Sequence, residues 1–234
     1  MTIANTERTT LLSPGQQGPA LIAHKAGNTA TNAIAAIEDV ADYLEVDLWV
    51  NHGHFEARHE HRLFSRLPIL FEGGRLSLAP RARFGLAELL AETKGRIGIM
   101  LDLKNGGIDA ARLVKQAIEK AGPNNHRLVA SSQLWTLLRA MHDIVPGVDL
   151  FYSMGVRSQL DLFLSVAQRD ARPRGVSCRD SLLNEHIVKQ LHDQGLLVIA
   201  WTVDDVERAA ELAAMGVDGI TTHRVVEIRE RLSR

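Results

Sequence analysis

Leu44-Glu45-Val46-Asp47-Leu48-Trp49-Val50 and Ile97-Gly98-Ile99-Met100-Leu101-Asp102-Leu103-Lys104 are two apolar runs with charges set at alternate positions. In a strand, residues two apart share a face. Glu45 and Asp47 then point one way while Leu44, Val46, Leu48 and Val50 point the other. Asp102 and Lys104 likewise oppose Ile99, Leu101 and Leu103. Three carboxylates and one ammonium therefore look inward from two neighbouring strands. At about 4 Å and an effective dielectric near 20, each like-charged pair costs on the order of 4 kcal/mol. A structural network with Lys104 and nearby arginines leaves negative charge in excess, and buried charges need pairing. One divalent cation is the simpler remedy, and an oxygen-only donor set suits Mg²⁺ or Ca²⁺ better than zinc.

Working outward, the chain alternates short apolar strands with amphipathic helices and has no composition break that marks a linker. Strands are expected at Leu21–His24, Leu44–Val50, Ile97–Lys104, Leu128–Ser132, Asp149–Met154, Gly175–Cys178, Leu196–Val203 and Gly219–Thr222. Helices are expected at Asn32–Tyr43, Leu86–Thr93, Asp109–Ala121, Leu134–Ile144, Gln159–Arg169, Glu185–Gln194, Val206–Met215 and Val225–Leu232. Glycines at 95, 122, 195 and 216 fall where helices should stop. Eight strand-helix units argue for a single (β/α)8 TIM barrel over an open doubly wound sheet. No GxGxxG comes after the first strand to favour a dinucleotide site. The barrel should occupy residues 20–234, after a flexible N-terminal tail at 1–19. Between strands two and three, Asn51–Phe84 should hold a hairpin arm at His54–Glu60 and then a loop with Arg and Pro. At the barrel's C-terminal mouth such a connection serves the active site.

With 27 basic against 28 acidic side chains, no global charge draws nucleic acid or an anionic membrane. The one cysteine, Cys178, excludes an internal disulfide framework and reads as a packing residue. Together with the polar start of the chain, which shows no leader pattern, it suits a cytoplasmic protein. No apolar stretch approaches the roughly 20 residues of a transmembrane helix.

The strand-end motifs fall in an order that resembles the glycerophosphodiester phosphodiesterase family, a phospholipase C-like phosphodiesterase barrel, and its sphingomyelinase D-like relatives. The family's opening His-Arg-Gly reads Ala23-His24-Lys25-Ala26, its Glu-x-Asp reads Glu45-Val46-Asp47, and its second His matches His59 in Phe55-Glu56-Ala57-Arg58-His59-Glu60. An acid two before a Lys is matched by Asp102 and Lys104. The closing segments are Trp201-Thr202-Val203 and Gly216-Val217-Asp218-Gly219-Ile220-Thr221-Thr222. The resemblance spans nearly all of Leu21–Arg224. Five positions depart from it, one of them Glu60, which stands for the Asp after the second His. Lys25 stands for Arg and lacks its bidentate fork. Thr31-Asn32-Ala33 stands for the Glu-Asn-Thr that opens helix one. Asp102-Leu103-Lys104 has the form usual in the sphingomyelinase D-like branch, and Thr222-His223 stands for Thr-Asp or Thr-Asn.

The resemblance implies a metal-dependent phosphodiesterase that converts glycerophosphodiesters to an alcohol and glycerol 3-phosphate, directly or through a cyclic phosphate. It implies His24 and His59 as the acid-base pair and Glu45, Asp47 and Asp102 as metal ligands. Lys25, Lys104 and Trp201 would bind phosphate and substrate. A lysophospholipase D or sphingomyelinase D-like enzyme on lipid phosphodiesters is the alternative, and a non-catalytic phosphate-binding barrel is the alternative of another class. Residue by residue there are plainer readings: His24 as a core histidine, Trp201 as barrel packing beside Leu197 and Ile199. His52, His54, His59 and His61, spaced two apart or more along one arm, would be a zinc site under a third.

Overall fold

The computed structural model describes residues 18–39, 41–63, 69–72, 74–78, 84–122, 126–166 and 173–234. Residues 1–17 of the expected tail and 167–169 of the fifth expected helix lie outside them. Eight strands close a parallel barrel: β1 (Ala20–Ala23), β2 (Tyr43–Asn51), β7 (Gly98–Leu103), β8 (Leu128–Ser132), β9 (Asp149–Met154), β10 (Gly175–Arg179), β11 (Leu197–Trp201) and β12 (Gly219–Thr222). They pair in chain order, and β1 bonds to both β2 and β12, which closes the ring. The helices are α1 (Ala30–Glu38), α2 (Leu86–Thr93), α3 (Gly107–Ala121), α4 (Trp135–Ile144), α5 (Arg157–Val166), α6 (Glu185–His192), α7 (Val206–Ala214) and α8 (Val225–Leu232). The chain is a single (β/α)8 TIM barrel.

Local chemistry sets the helix ends. Thr29, Asn184 and Asp205 accept hydrogen bonds from the first free backbone N–H groups of α1, α6 and α7, as capping residues do. The four expected stop glycines all have positive φ, between 74° and 88°.

Strand alternation divides the molecule into two cores. Leu44, Val46, Leu48, Ile99, Leu101 and Leu103 face outward and pack under the helices. Ala20, Ile22, Tyr43, Met100, Val129, Phe151 and Ile199 fill the barrel's interior. This interior set corrects the first expected helix, which stops at Glu38 rather than running to Tyr43. Tyr43 instead begins β2, and its ring fills the space left at Gly98, where an added Cβ would lie 1.9 Å from a ring carbon. A helical apolar period and a strand that starts on an inward aromatic look alike over so short a stretch.

The connection after β2 also differs from expectation. The hairpin is present: β3 (His54–Ala57) pairs antiparallel with β2. The stretch beyond it is more than loop, because β4 (His61–Arg62), β5 (Ile69–Glu72) and β6 (Arg75–Leu78) form a small antiparallel sheet.

Gly175 provides a test of the closed interior. A Cβ there would stand 2.3 Å from the Leu197 carbonyl oxygen, a backbone atom held in the β10–β11 ladder. Gly175→Ala should lower stability by about 3 kcal/mol, the upper end of ordinary overpacking. Urea unfolding measures it, and a loss below about 0.5 kcal/mol would show that the ring has slack at this strand.

Candidate active site

The inward column of each strand changes character as it climbs. Above the apolar floor come Ser131, Ser153, Ser177 and Thr221, and with them Glu45, Asp102 and Trp201. Small side chains at this level leave a cavity of about 200 Å³ at the C-terminal mouth, also lined by His24, His59 and Lys104. A larger depression of about 410 Å³ opens against Val145–Leu150 and Arg174 at the other end. In this architecture that end serves stability rather than chemistry.

Parallel pairing of β2 with β7 sets Asp47 opposite Asp102. One carboxylate oxygen from each of Glu45, Asp47 and Asp102 lies within 4.8 Å of the others, the only such group of three or more metal-ligating side chains among the described residues. Two ligands held about 2.1 to 2.5 Å from one ion are at most about 5 Å apart, so the spacing fits a single hard cation. Lys104 forms an ion pair with Asp47 at 2.7 Å and hydrogen-bonds Asp102. Asn28 holds Asp47 from the other side, donating to Oδ2 at 2.8 Å and accepting the Asp47 N–H at 2.9 Å.

Burial raises the Glu45 carboxyl well above its ordinary 4.5, and the charges of Asp47 and Asp102 push it the same way. Burial also raises Asp102, against the pull of Lys104. For Asp47, burial is outweighed by Lys104 and by the Asn28 hydrogen bond, which hold it low. Lys104 is desolvated too, yet Asp102 and Asp47 together keep it strongly protonated. One ammonium thus does not neutralise three acids.

His24 stands where β1 ends, its backbone N–H bonded to Thr222 O at 2.8 Å. His59 arrives by the arm. The Arg58 N–H donates to Asp47 O at 3.0 Å, and its guanidinium lies over Trp49, 5.0 Å from the ring centroid. These contacts fix the next residue over the cavity, and the two imidazoles stand 6.4 Å apart, edge to face. Desolvation, and then the neighbouring His223, lower the His24 pKa to about 4.

Two other members of the arm's histidine run, His52 and His54, are not gathered with His59. His52 is an exposed turn residue with φ 47°, His54 leans on Glu56 at 3.8 Å, and the His61 side chain lies outside the described set. Lys25 enters through its backbone. Its left-handed conformation, φ 57°, turns the chain after His24 and aims its N–H at Glu45 Oε2, 2.7 Å away. Trp201 lines the cavity, with the Arg179 guanidinium 5.7 Å from its ring centroid. Cys178 is fully buried, and burial pushes its thiol up to about 12.

The sequence alone brings in neither Asn28 nor Asp204, leaves Arg179 among common surface arginines, and singles out His223 only as a departure from the resembled pattern. Asn28 had a visible signal, since Asn28-Thr29, not Thr31-Asn32-Ala33, opens α1. The other three are joined to the site only by the fold.

Residues 105–227 match the glycerophosphoryl diester phosphodiesterase family, more than half of the chain. The chain belongs to this family. The matched stretch begins just after Lys104, so of the expected site residues it holds Trp201 alone. A relative from Bacillus subtilis (strain 168), named "Putative glycerophosphodiester phosphodiesterase YhdW", is 27% identical over 144 residues, which are 58% of this chain and 57% of that protein. The chain thus spans little more than half the length of this curated relative. Among solved structures, a phosphodiesterase from Oleispira antarctica in complex with the product sn-glycerol-3-phosphate superposes with a TM-score of 0.76 at 17% identity, covering 93% of this chain and 98% of that one. A glycerophosphodiester phosphodiesterase from Parabacteroides distasonis gives 0.73 at 22% identity, covering 94% and 98%. At these identities the likeness is one of fold.

The raised Glu45 carboxyl has a measurable consequence for the metal-free protein. Between 4.5 and its raised folded value, the folded state holds a proton that the unfolded chain has lost, so stability falls as pH rises through that window. Glu45→Gln removes this loss. In EDTA its melting temperature should gain on the wild type between pH 5 and pH 8. Parallel melting curves for the two proteins over that range would show that Glu45 ionises as an ordinary surface acid.

Proposed function

We propose that this protein is a divalent-cation-dependent phosphodiesterase that cleaves glycerophosphodiesters, with His24 and His59 as its acid-base pair. The observation that carries this reading is the convergence of an oxygen triad and two imidazoles 6.4 Å apart on one small cavity. Family membership supports the reaction class. Glu45, Asp47 and Asp102 would hold the cation, which when bound supplies positive charge to the nonbridging phosphate oxygens. Lys104, fixed between Asp47 and Asp102, offsets negative charge that grows on the phosphate in the transition state. One imidazole takes the proton of the attacking hydroxyl and the other returns a proton to the departing alcohol. If the attacker is the substrate's own neighbouring hydroxyl, proximity contributes on the order of 7 to 11 kcal/mol and a cyclic phosphate forms first.

The size and lining of the cavity favour deacylated substrates over lipids. About 200 Å³ holds a glycerophosphate and little more, and the level above the floor carries hydroxyls. Lining hydroxyls such as those of Ser153 and Ser177 would bond a polar substrate, whereas an acyl chain would cover them unpaired at a cost of about 1 to 3 kcal/mol each.

Phosphorus NMR of reactions with glycerophosphocholine and with lysophosphatidylcholine tests the reading. Glycerophosphocholine should be turned over with Mg²⁺ or Ca²⁺ and not in EDTA, and the lysophospholipid should react more slowly. His24→Ala and His59→Ala should each lose about 10²-fold or more in turnover, and Asp102→Asn should lose cation affinity and turnover together. Binding of both diesters without turnover would leave the non-catalytic barrel as the reading.

Lys25→Arg should keep activity. Lys25→Ala should raise KM with little change in cation affinity, because only a charge beside His24 is lost while the backbone N–H that holds Glu45 remains. Unchanged kcat/KM in Lys25→Ala would place this ammonium outside the phosphate site.

A further inference from the structure

His24 is the inner end of a hydrogen-bonded line that runs to the barrel's rim. Its Nδ1 lies 3.0 Å from His223 Nε2, and His223 Nδ1 lies 2.9 Å from Asp204 Oδ2. The Asp204 carboxylate is itself held. Its Oδ1 accepts from the Thr222 hydroxyl at 3.1 Å and from the His223 N–H at 2.9 Å. The Thr222 hydroxyl in turn accepts the Arg224 N–H at 2.9 Å, and the Arg224 guanidinium donates to Asp204 O at 3.2 Å.

The direction of each bond is set from the far end. An ionised carboxylate only accepts, so His223 Nδ1 carries a proton and donates it. In a neutral ring the other nitrogen, Nε2, is then an acceptor, and His24 must donate to it from Nδ1. That leaves the lone pair of His24 on Nε2, the nitrogen that lies 4.0 Å from Glu45 Oε2 at the cavity. The His59 ring stands edge to face with His24, carried on the arm rather than on the ring of strands.

We propose that Asp204 and His223 are positioning residues that hold His24 in the Nδ1–H tautomer, which makes His24 the general base and leaves His59 as the general acid. This assignment rests on the phosphodiesterase reading and sharpens it. As the attacking oxygen bonds to phosphorus, its proton passes to His24 Nε2. As the bond from phosphorus to the leaving oxygen breaks, the His59 proton passes to that oxygen, and solvent exchange resets both rings. The sequence places a histidine at 223 where the resembled pattern has Asp or Asn, so the line is a feature of this chain.

Asp204→Asn tests it with little change of shape. The Thr222 hydroxyl and the His223 N–H both donate to the Oδ1 position, so the amide oxygen stays there and the NH₂ group takes the Oδ2 position. That presents a donor to His223 Nδ1, turns His223 to Nε2–H, and so forces His24 to Nε2–H, with its lone pair away from the cavity. Nitrogen-15 NMR of histidine-labelled protein, with the His24 signals assigned by their loss in His24→Gln, reads the tautomer with no substrate present. The expected result is Nδ1–H at His24 in the wild type and Nε2–H in Asp204→Asn, with kcat for glycerophosphocholine down about 10²-fold and KM within about 3-fold. His223→Ala should also lose turnover. His223→Gln, whose carbonyl oxygen can accept the His24 Nδ1–H, should recover to within about 3-fold of the wild type. Nε2–H at His24 in the wild type, or an unchanged tautomer in Asp204→Asn, would overturn the proposal. An inactive wild type with the expected tautomers would instead count against the phosphodiesterase reading alone.

Discussion

The register between β2 and β7 is the constraint on which the rest of the molecule depends. At one end of the pair the Tyr43 ring occupies the space that Gly98 leaves open, and four residues further up the same register sets Asp47 beside Asp102. A slip of one residue would turn every side chain of β2 to the opposite face. It would bury the acids under the helices and expose the apolar set to the cavity. The packing of a single aromatic on a glycine at the floor thus fixes the charges at the mouth. Lys104 obeys the same geometry, because it continues β7 on the inward face and reaches both acids. Breaking such a buried arrangement by removing one partner typically costs about 3 to 5 kcal/mol, so the carboxylates and the ammonium depend on one another before any ligand arrives.

The parts of this architecture governed by alternation were legible in the sequence. Glu45, Asp47, Asp102 and Lys104 could be placed on one face because the period of a strand is two and their neighbours are apolar. Strand-end His24 and the eight-unit count could be read in the same way. His59 was reached through motif order, and the structure supplies the physical link: the Arg58 N–H bonded to Asp47 O and the guanidinium stacked on Trp49. The short sheet of β4, β5 and β6 escaped because its strands are two to four residues long and its outermost strand, Arg75–Leu78, is exposed throughout. Such a stretch has no buried face to impress a period. As partners of His24, Asp204 and His223 escaped for a different reason. They lie on separate βα turns, are about half exposed, and become partners of His24 only when β1 closes against β12. No local pattern encodes a contact made by ring closure.

Closure also explains why the two imidazoles are not equivalent. His24 belongs to the ring itself, tied through its backbone to Thr222 and through its side chain to the turn after β12. His59 belongs to an arm that leaves the ring and returns over it. The first is held by successive groups that fix which nitrogen bears the proton, and the second is placed by contacts of the residue before it. A reaction that needs one group to accept and another to donate gains from this difference, since two identically solvated histidines would divide each role between them.

The wall across from the acids completes the arrangement. Glu45, Asp47, Asp102 and Lys104 all come from β2 and β7, while Trp201, with Arg179 against its ring, comes from β11 and β10 on the far side. Between them Ser131, Ser153, Ser177 and Thr221 keep the level above the apolar floor small-sided and polar. Under the proposed function, the placement of charge would orient a phosphodiester here. Its phosphate lies toward the acid cluster, where the cation and Lys104 would meet it, and one substituent lies along the aromatic face. With His24 as the base and His59 as the acid, the attacking hydroxyl would lie on the β1 side of that phosphate and the departing alcohol under the arm, a separation that the 6.4 Å between the two imidazoles spans.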